Sequence, residues 1–257
     1  MNQNAPPTPS RDQSSDLKRF LSNMVGYGTI LFTLVMLFFF LILPVGLIVV
    51  KAFYNGEHFT LEYFYLLFDN DLQTKAIVNS LWIGIATTII TTFVALPLAL
   101  INARFEYPGK SLLSGLILVP MVMPPFVGAI GVFRFFSRGG SVNLWLAEWG
   151  LMDLRDPIDW LGPDNAFWAV IILEVLHLYP IMYLNLSAAL ANIDPSLEEM
   201  ASTLGVSRWK QLKDIVWPLS RPGYFAGAMI VFIWALTDIG TPLLVGYEDC
   251  MPVKIFK

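Results

Sequence analysis

The sequence predicts an all-α membrane protein, a polytopic bundle of helices that crosses the bilayer five times. Of its 257 residues, 56% are hydrophobic and 14% are charged, whereas soluble domains have about 45–50% apolar and about 25% charged residues. Five stretches reach the length of about 20 apolar residues that a spanning helix needs. They comprise residues 24–52, 76–101, 111–136, 166–190 and 223–246. None alternates as a barrel strand would, so each is predicted to satisfy its backbone polar groups as a helix.

The first 20 residues are polar and rich in Pro and Ser, which predicts a disordered tail before a membrane domain over residues 21–257. The apolar run that follows is about twice the length of a signal-peptide core, so we expect a spanning helix there. Several prolines fall inside the apolar stretches and are expected to kink them. They are Pro44, Pro97, Pro120, Pro124 and Pro125. After the fifth stretch only YEDCMPVKIFK remains.

Charge excludes some classes of partner and suggests an orientation. The net charge is -4 and no basic cluster is present, so no nucleic-acid partner is expected. The one cysteine, Cys250, excludes an internal disulfide framework and a cysteine metal cluster. Short loops on the N-terminal side hold nine Lys and Arg residues against seven on the other side, which favours a cytoplasmic N-terminus.

The loop over residues 137–165 is acidic and contains three tryptophans, Trp145, Trp149 and Trp160. Tryptophan favours the membrane–water interface. We therefore expect a short helix at the outer surface over residues 141–150.

The loop over residues 192–222 is amphipathic and predicts two short helices joined by an elbow. Asp194 suits the N-cap of the first helix and Pro195 its first position. Gly205 suits the end of that helix, and Ser207 suits the N-cap of the second. Pro218 and Pro222 are expected to end the second helix before the fifth span. The physics alone leaves two interpretations open: a hairpin lying on lipid headgroups, or a docking element that enters a groove on a partner.

This loop resembles the Glu-Ala-Ala loop of ATP-binding-cassette importer permeases. The family's pattern is Glu-Ala-Ala, three residues, Gly, nine residues, Ile, one residue, Leu-Pro. Five residues fall in register: Glu199, Ala201, Gly205, Ile215 and Pro218. Met200 and Trp217 depart from the pattern but remain apolar.

The resemblance implies the transmembrane-domain fold of a type I importer and a set of partners. Residues 192–222 would couple the spans to a cytoplasmic ATPase dimer, with Glu199 as the charged anchor and Gly205 as the elbow. Mg-ATP would sit on that partner, leaving this chain without a cofactor or an enzymatic role. A second permease half, a periplasmic binding protein and membrane lipid would complete the assembly in a bacterial inner membrane.

The stretch FIWALTDIGTPLLVG, residues 232–246, narrows the resemblance. Its Asp-Ile-Gly-Thr-Pro is similar to the Asp-Phe-Gly-(Asn/Thr)-Pro of iron(III)-type permeases and their relatives for organophosphates. Many of these have two six-span halves. The chain resembles the first half with the sixth span missing, which implies a fragment and an iron(III) or related solute.

Three ionisable residues fall within the spans and are candidates for a translocation path: Glu174, His177 and Asp238. Glu174 and His177 lie three residues apart on one helical face, where mutual hydrogen bonding is favoured over a metal site. Asp238 equally suits a cap for local backbone near Gly240. Two other classes of protein remain as alternatives: an intramembrane enzyme that uses Glu174 and His177, and a non-transporting scaffold or channel whose hairpin contacts lipid.

Overall fold

The computed structural model describes residues 13–54, 56 and 58–256, and in this part every regular element is a helix. A single isolated bridge pairs Tyr54 with Phe59. The predicted all-α class is therefore confirmed. The chain divides into two compact units, one up to Leu67 and one from Phe68 onward.

The first unit is built around a long apolar helix. Helix α1 (Gln13–Leu37) continues through a π turn (Phe38–Ile42) into α2 (Leu43–Phe53), and α3 (Glu62–Asp69) begins near the end of the unit. Helix α1 starts inside the segment 1–20 that was expected to be disordered; residues 1–12 lie outside the described part. Extending an existing helix costs less than nucleating one, so the polar residues before the apolar run continue its helix.

The second unit contains the remaining helices, centred on α8. They are α4 (Asp71–Arg104), α5 (Lys110–Val122), α6 (Pro125–Phe136), α7 (Ser141–Glu148), α8 (Ala166–Ala191), α9 (Pro195–Thr203), α10 (Arg208–Gln211), α11 (Trp217–Thr237), α12 (Gly240–Val245) and α13 (Met251–Phe256). A 3₁₀ turn (Pro163–Asn165) precedes α8, and a π turn (Leu212–Val216) joins α10 to α11. Helices α4, α5 and α11 all pack against α8. Helix α7 confirms the short helix expected over residues 141–150.

The described residues contain four helices that are long and apolar enough to cross a membrane, or five if one bent pair is a single span. The bent pair corresponds to the predicted third span. Segments 110–122 and 127–148 are inclined by 100°, with Met123 in an extended conformation just before Pro124. A residue that precedes proline is disfavoured in the helical region, so the expected kink is a full break.

The second helix of the 192–222 loop runs without interruption into the fifth span, from Arg208 to Thr237. The expectation that Pro218 and Pro222 would end it is wrong. For Pro218 the π turn provides the physical reason, whereas Pro222 lies inside the regular helix α11. Trp217 donates its backbone N–H to the Leu212 carbonyl, five residues back. This wider turn relieves the clash of a proline ring with the carbonyl four residues before it. The π turn at Phe38–Ile42 stands in the same position before Pro44.

Helices α8 and α11 approach closely where α11 carries Gly223 and Gly227. A Cβ at Gly223 would overlap that of Ala189 and lie 2.9 Å from the Asn185 carbonyl oxygen. A Cβ at Gly227 would lie 3.1 Å from Asn185 Cβ. This G-x-x-x-G spacing is the small-residue pattern that lets membrane helices pack backbone to backbone. The pattern is visible in the sequence as GYFAG at residues 223–227.

The residues after α12 fold back onto α4. The backbone N–H of Met251 donates to Ser80 Oγ at 2.8 Å, and Asn79 Nδ2 donates to the Asp249 carbonyl at 2.8 Å. Asp249 also pairs with Lys75 at 3.2 Å and Lys254 at 3.4 Å. Hydrogen bonds from Lys75 lower the pKa of Asp249. Cys250 is buried here, so this segment belongs to the packed unit.

Candidate functional site: a surface hairpin and a polar cluster within the bundle

The hairpin of residues 192–222 begins with the predicted cap. Asp194 is extended, and its Oδ1 accepts the backbone N–H of Ser196 at 2.9 Å. Pro195 occupies the first position of α9, where its missing N–H has no cost. Ser207 stands at the N-cap of α10 as expected, but its side chain makes no capping hydrogen bond.

The elbow of the hairpin is a complete Schellman motif around Gly205. Gly205 has a positive φ of 75°. Its N–H donates to the Ser202 carbonyl at 3.0 Å, and the N–H of Val206 donates to the Ala201 carbonyl at 3.0 Å. These two bonds satisfy the last carbonyls of α9. The predicted role of Gly205 as a helix stop is confirmed in its geometry.

Gln211 braces the elbow from within, a role that no local sequence pattern indicated. Its side chain is buried, and Nε2 donates to the Val206 carbonyl at 2.7 Å and to Ser202 Oγ at 3.0 Å. It thereby ties the start of α10 to the end of α9. A buried side chain with two such bonds fixes the angle between two short helices.

The five residues that matched the family pattern have different positions. Ala201 is buried, Ile215 and Pro218 are half-buried, and Glu199 and Gly205 are exposed. Beside Glu199 the hairpin also exposes Met200, Leu204 and Trp209, of which Leu204 is 81% and Trp209 75% accessible. The hairpin therefore exposes three apolar side chains and one acidic side chain, which we call the hairpin crown (Glu199, Met200, Leu204 and Trp209).

Acidification is expected to loosen the first turn of α9. The backbone and side-chain hydrogen bonds of Ser196 lower the pKa of Asp194 below its ordinary value. A group with a lowered pKa stabilises the fold above its ordinary pKa and loses that effect as the pH falls through its folded value. We expect backbone hydrogen exchange in the first turn of α9, corrected for intrinsic rates, to accelerate below about pH 4.

Asp194→Asn supplies the control, because asparagine caps helices as well as aspartate but does not titrate. The Asn variant should keep slow exchange across the same pH range. An acid-dependent acceleration of equal size in both proteins would contradict the role of the Asp194 cap.

Inside the bundle, Asp238 caps the half-helix α12. The fifth span is interrupted after Thr237, where Asp238 takes an extended conformation. Its Oδ2 accepts the backbone N–H of Thr241 at 2.7 Å, and its Oδ1 accepts that of Gly240 at 3.3 Å. This confirms one of the two interpretations of Asp238, as a cap for local backbone at a break in the helix.

Glu174 lies beside that cap. Its carboxyl group faces the Asp238 carboxyl and the Thr241 hydroxyl. The residue is only 3% exposed, and its Oε1 is buried without a hydrogen-bond partner in the described part. Two carboxyl groups from two different helices therefore meet at the break in the span, although they are 64 residues apart in sequence (238 minus 174).

His177 lies three residues further along α8, on the same face as Glu174. Its ring stacks on Trp234 with centroids 6.5 Å apart and hydrogen-bonds the backbone of Pro120. The expectation that Glu174 and His177 pair with each other is wrong, since each has its contacts on another helix. Tertiary packing of α5 and α11 against α8 decides these partners.

A cavity of 390 Å³ adjoins this cluster between α5, α6, α8 and α12. Its walls are mostly apolar, with His177, Tyr179 and Thr241 as polar lining residues. Among the described residues, no group of three or more His, Cys, Asp or Glu side chains is arranged to hold a metal ion. Both carboxylate oxygens of Asp238 accept backbone N–H groups, so this residue serves as a cap in the cluster.

The loop over residues 137–165 is ordered around one buried amide. Asn143 Nδ2 donates to the carbonyls of Arg138 at 3.0 Å and Ile158 at 2.8 Å, and its Oδ1 accepts Trp160 Nε1 at 2.9 Å. Trp145 and Trp149 are exposed. The loop therefore presents a fixed acidic and aromatic surface.

The sequence matches known transport proteins. The family described as "Binding-protein-dependent transport system inner membrane component" matches residues 95–250. The chain is 31% identical over 231 residues to the ferric transport system permease protein FbpB of Actinobacillus pleuropneumoniae, covering 89% of this chain and 33% of that relative. It is 29% identical over 191 residues to the molybdenum transport system permease protein ModB of Haemophilus influenzae, covering 72% and 80%.

A third relative is the spermidine/putrescine transport system permease protein PotC of Escherichia coli, 24% identical over 227 residues and covering 85% of this chain and 77% of the relative. The chain spans about a third of the length of the ferric relatives that it matches. A chain in the crystal structure of a bacterial alginate ABC transporter, in complex with an alginate pentasaccharide-bound periplasmic protein, has the same fold. Its TM-score is 0.73 at 22% identity, covering 95% of this chain and 85% of that chain. This likeness confirms the predicted type I importer fold.

Proposed function

The chain belongs to the family of binding-protein-dependent transport system inner membrane components, and we propose on this basis that it is a permease subunit of an ATP-driven importer. It moves a solute from a periplasmic binding protein into the cytoplasm by alternating access. The family consists of transport components, and a separate ATPase subunit supplies the energy. The hypothesis of an intramembrane enzyme built on Glu174 and His177 is therefore not retained.

The structural observation that supports docking to an ATPase is the hairpin crown. Met200, Leu204 and Trp209 expose apolar side chains on a hairpin whose angle is fixed by Gly205 and Gln211. An exposed apolar helix face suits a groove on a partner protein. Because the elbow is rigid, movement of that partner is transmitted through the hairpin to the helices on either side of the hairpin. Helix α8 precedes the hairpin and α11 follows it, so a displacement of the crown by the partner moves both helices.

The solute proposed is iron(III) or a chemically related one. Two ferric relatives, at 31% and 30% identity, support this choice. The cavity beside Glu174, His177 and Asp238 is the proposed part of the path within this chain. With the N-terminus in the cytoplasm, the 137–165 loop faces the binding protein and the crown faces the ATPase. A second permease half completes the path.

The test is purification of the tagged chain in mild detergent from its native membranes, with mass spectrometry of the proteins that accompany it. We expect a P-loop ATPase with the unchanged chain and its loss with Leu204→Glu, because a charge on the crown opposes burial in an apolar groove. Metal analysis of an attached binding protein should find iron.

Leu151→Glu is the matched control, because Leu151 is 70% exposed on the other loop and takes the same change of charge. It should retain the ATPase. A chain that purifies intact and monodisperse without any ATPase would overturn the proposal and favour a scaffold whose hairpin contacts lipid. Equal retention by both variants would overturn the role of the crown.

A further inference from the structure

An ion pair joins the hairpin to a helix that is not its neighbour in the chain. Arg104 is the last residue of α4, and its Nη1 pairs with Oε1 of Glu198 in the first turn of α9. Both side chains are largely shielded, with 30% of Arg104 and 21% of Glu198 exposed. Each charge lies at the helix end that favours it, a cation at a C-terminus and an acid at an N-terminus.

In the described part of the chain, Arg104 is the only ion-pair partner of Glu198. Its Oε1 is buried and lacks a hydrogen-bond donor other than its ion-pair partner. A buried carboxylate oxygen that loses its only cation keeps the cost of its desolvation. The neighbouring Glu199 is exposed on the crown. The two adjacent glutamates thus face different ways, one toward α4 and one toward solvent.

Half a turn before Arg104, α4 is also joined to two other helices. Asn102 Nδ2 donates to the hydroxyl oxygen of Tyr183 on α8 at 2.7 Å. Its Oδ1 accepts Ser114 Oγ of α5 at 3.1 Å and the Tyr107 hydroxyl at 3.2 Å. These side chains form a polar layer under the hairpin, which we call the Asn102 layer. Any displacement of the end of α4 is transmitted through it to α5.

We propose that Arg104 and Glu198 are positioning residues that make the end of α4 move as one body with the hairpin. This inference rests on the proposed function for its consequence in transport, but the link itself is a property of this chain. The peptide chain connects the hairpin to α8 and α11, and both of these helices pack against α4. The ion pair adds a direct contact between the hairpin and the end of α4, and the Asn102 layer extends that contact to α5. A movement of the crown thereby reaches four helices at once.

The link is tested first on the purified chain, by hydrogen exchange of the backbone amides of α9. Arg104→Glu and Glu198→Arg should each accelerate exchange in α9 by about tenfold, because each places like charges together. The double exchange of charges should restore slow exchange in part, because it re-forms the pair but places each charge at the helix end that disfavours it. Arg104→Gln removes the charge without placing like charges together, so it should give a smaller acceleration. It covers the case in which the reversed charge prevents folding.

The matched control combines Arg104→Glu with Asp214→Arg, an exposed acid on the same hairpin. It keeps the net charge but not the pair, so exchange in α9 should stay fast. Unchanged exchange in Arg104→Glu and Arg104→Gln would overturn the inference, as would restoration by Asp214→Arg. In the assembled transporter, Arg104→Glu should retain the ATPase and import about tenfold less solute per ATP, with recovery in the charge exchange. If the unchanged chain bound no ATPase, the proposed function would be wrong, but the hydrogen-exchange test of the ion pair would still stand.

Discussion

Replacing Gly205 by valine is expected to uncouple ATP hydrolysis from import. Gly205 has a φ of 75°, a conformation that costs a residue with a Cβ roughly 1–2 kcal/mol. A Cβ there would meet no atom within 4 Å, so the effect comes from backbone strain alone. The strain opposes the Schellman motif that sets the angle between α9 and α10. We expect the ATP consumed per solute imported to rise by about tenfold, which corresponds to about 1.4 kcal/mol.

Gly205→Asn is the informative partner of this variant. Asparagine enters the left-handed region more readily than other residues with a Cβ and ends helices in the same way. Its ATP consumption per solute should stay close to that of the unchanged chain. If Gly205→Val consumed no more ATP per solute than Gly205→Asn, the angle of the hairpin would be irrelevant to transport. That result would favour a scaffold whose hairpin contacts lipid.

Replacing Gly223 by valine is expected to cause a large loss of stability. The Cβ alone would overlap Ala189 Cβ and crowd the Asn185 carbonyl, and valine adds two methyl groups. Overpacking of this kind costs about 1–3 kcal/mol. For a chain of this length, a loss of about 2 kcal/mol lowers the melting temperature by roughly 4–8 °C. Thermal unfolding of the purified chain in detergent measures this shift.

Gly115→Val is the matched control, since Gly115 is also in an apolar helix but a Cβ there meets nothing within 4 Å. It should leave the melting temperature nearly unchanged. Gly223→Ala combined with Ala189→Gly should recover part of the loss caused by Gly223→Ala alone, because it removes the overlapping carbon. Equal shifts in Gly223→Val and Gly115→Val would contradict a close contact between α8 and α11.

The hairpin of residues 192–222 was largely predictable because its signals are local. Asp194, Pro195 and Gly205 each act on backbone groups within a few residues of themselves, so their types and spacing define the start and the end of α9. The second helix was predicted less well. Proline normally ends a helix, and whether a π turn accommodates Pro218 depends on the fold around it.

The polar residues in the spans could not be paired from the sequence. Glu174 and His177 lie on one helical face, which made them partners in the prediction, yet Asp238 and Trp234 are their neighbours in space. The same holds for Arg104 and Glu198, which are 94 residues apart (198 minus 104). A single sequence carries no record of which distant helices touch. The G-x-x-x-G at Gly223 was the one signal of a contact that could have been used.

The sequence by itself determined that this protein is a helical membrane bundle with a protruding amphipathic hairpin. Hydrophobic length, helix capping and glycine at the elbow are properties of short segments, and the bilayer leaves an isolated apolar segment few options besides a helix. Only the tertiary structure decided which helices meet, where Pro124 breaks a span, and how Arg104 joins α4 to the hairpin. Those outcomes depend on packing between segments distant in the chain, where small residues and buried charges are stabilised by neighbours that local sequence does not specify.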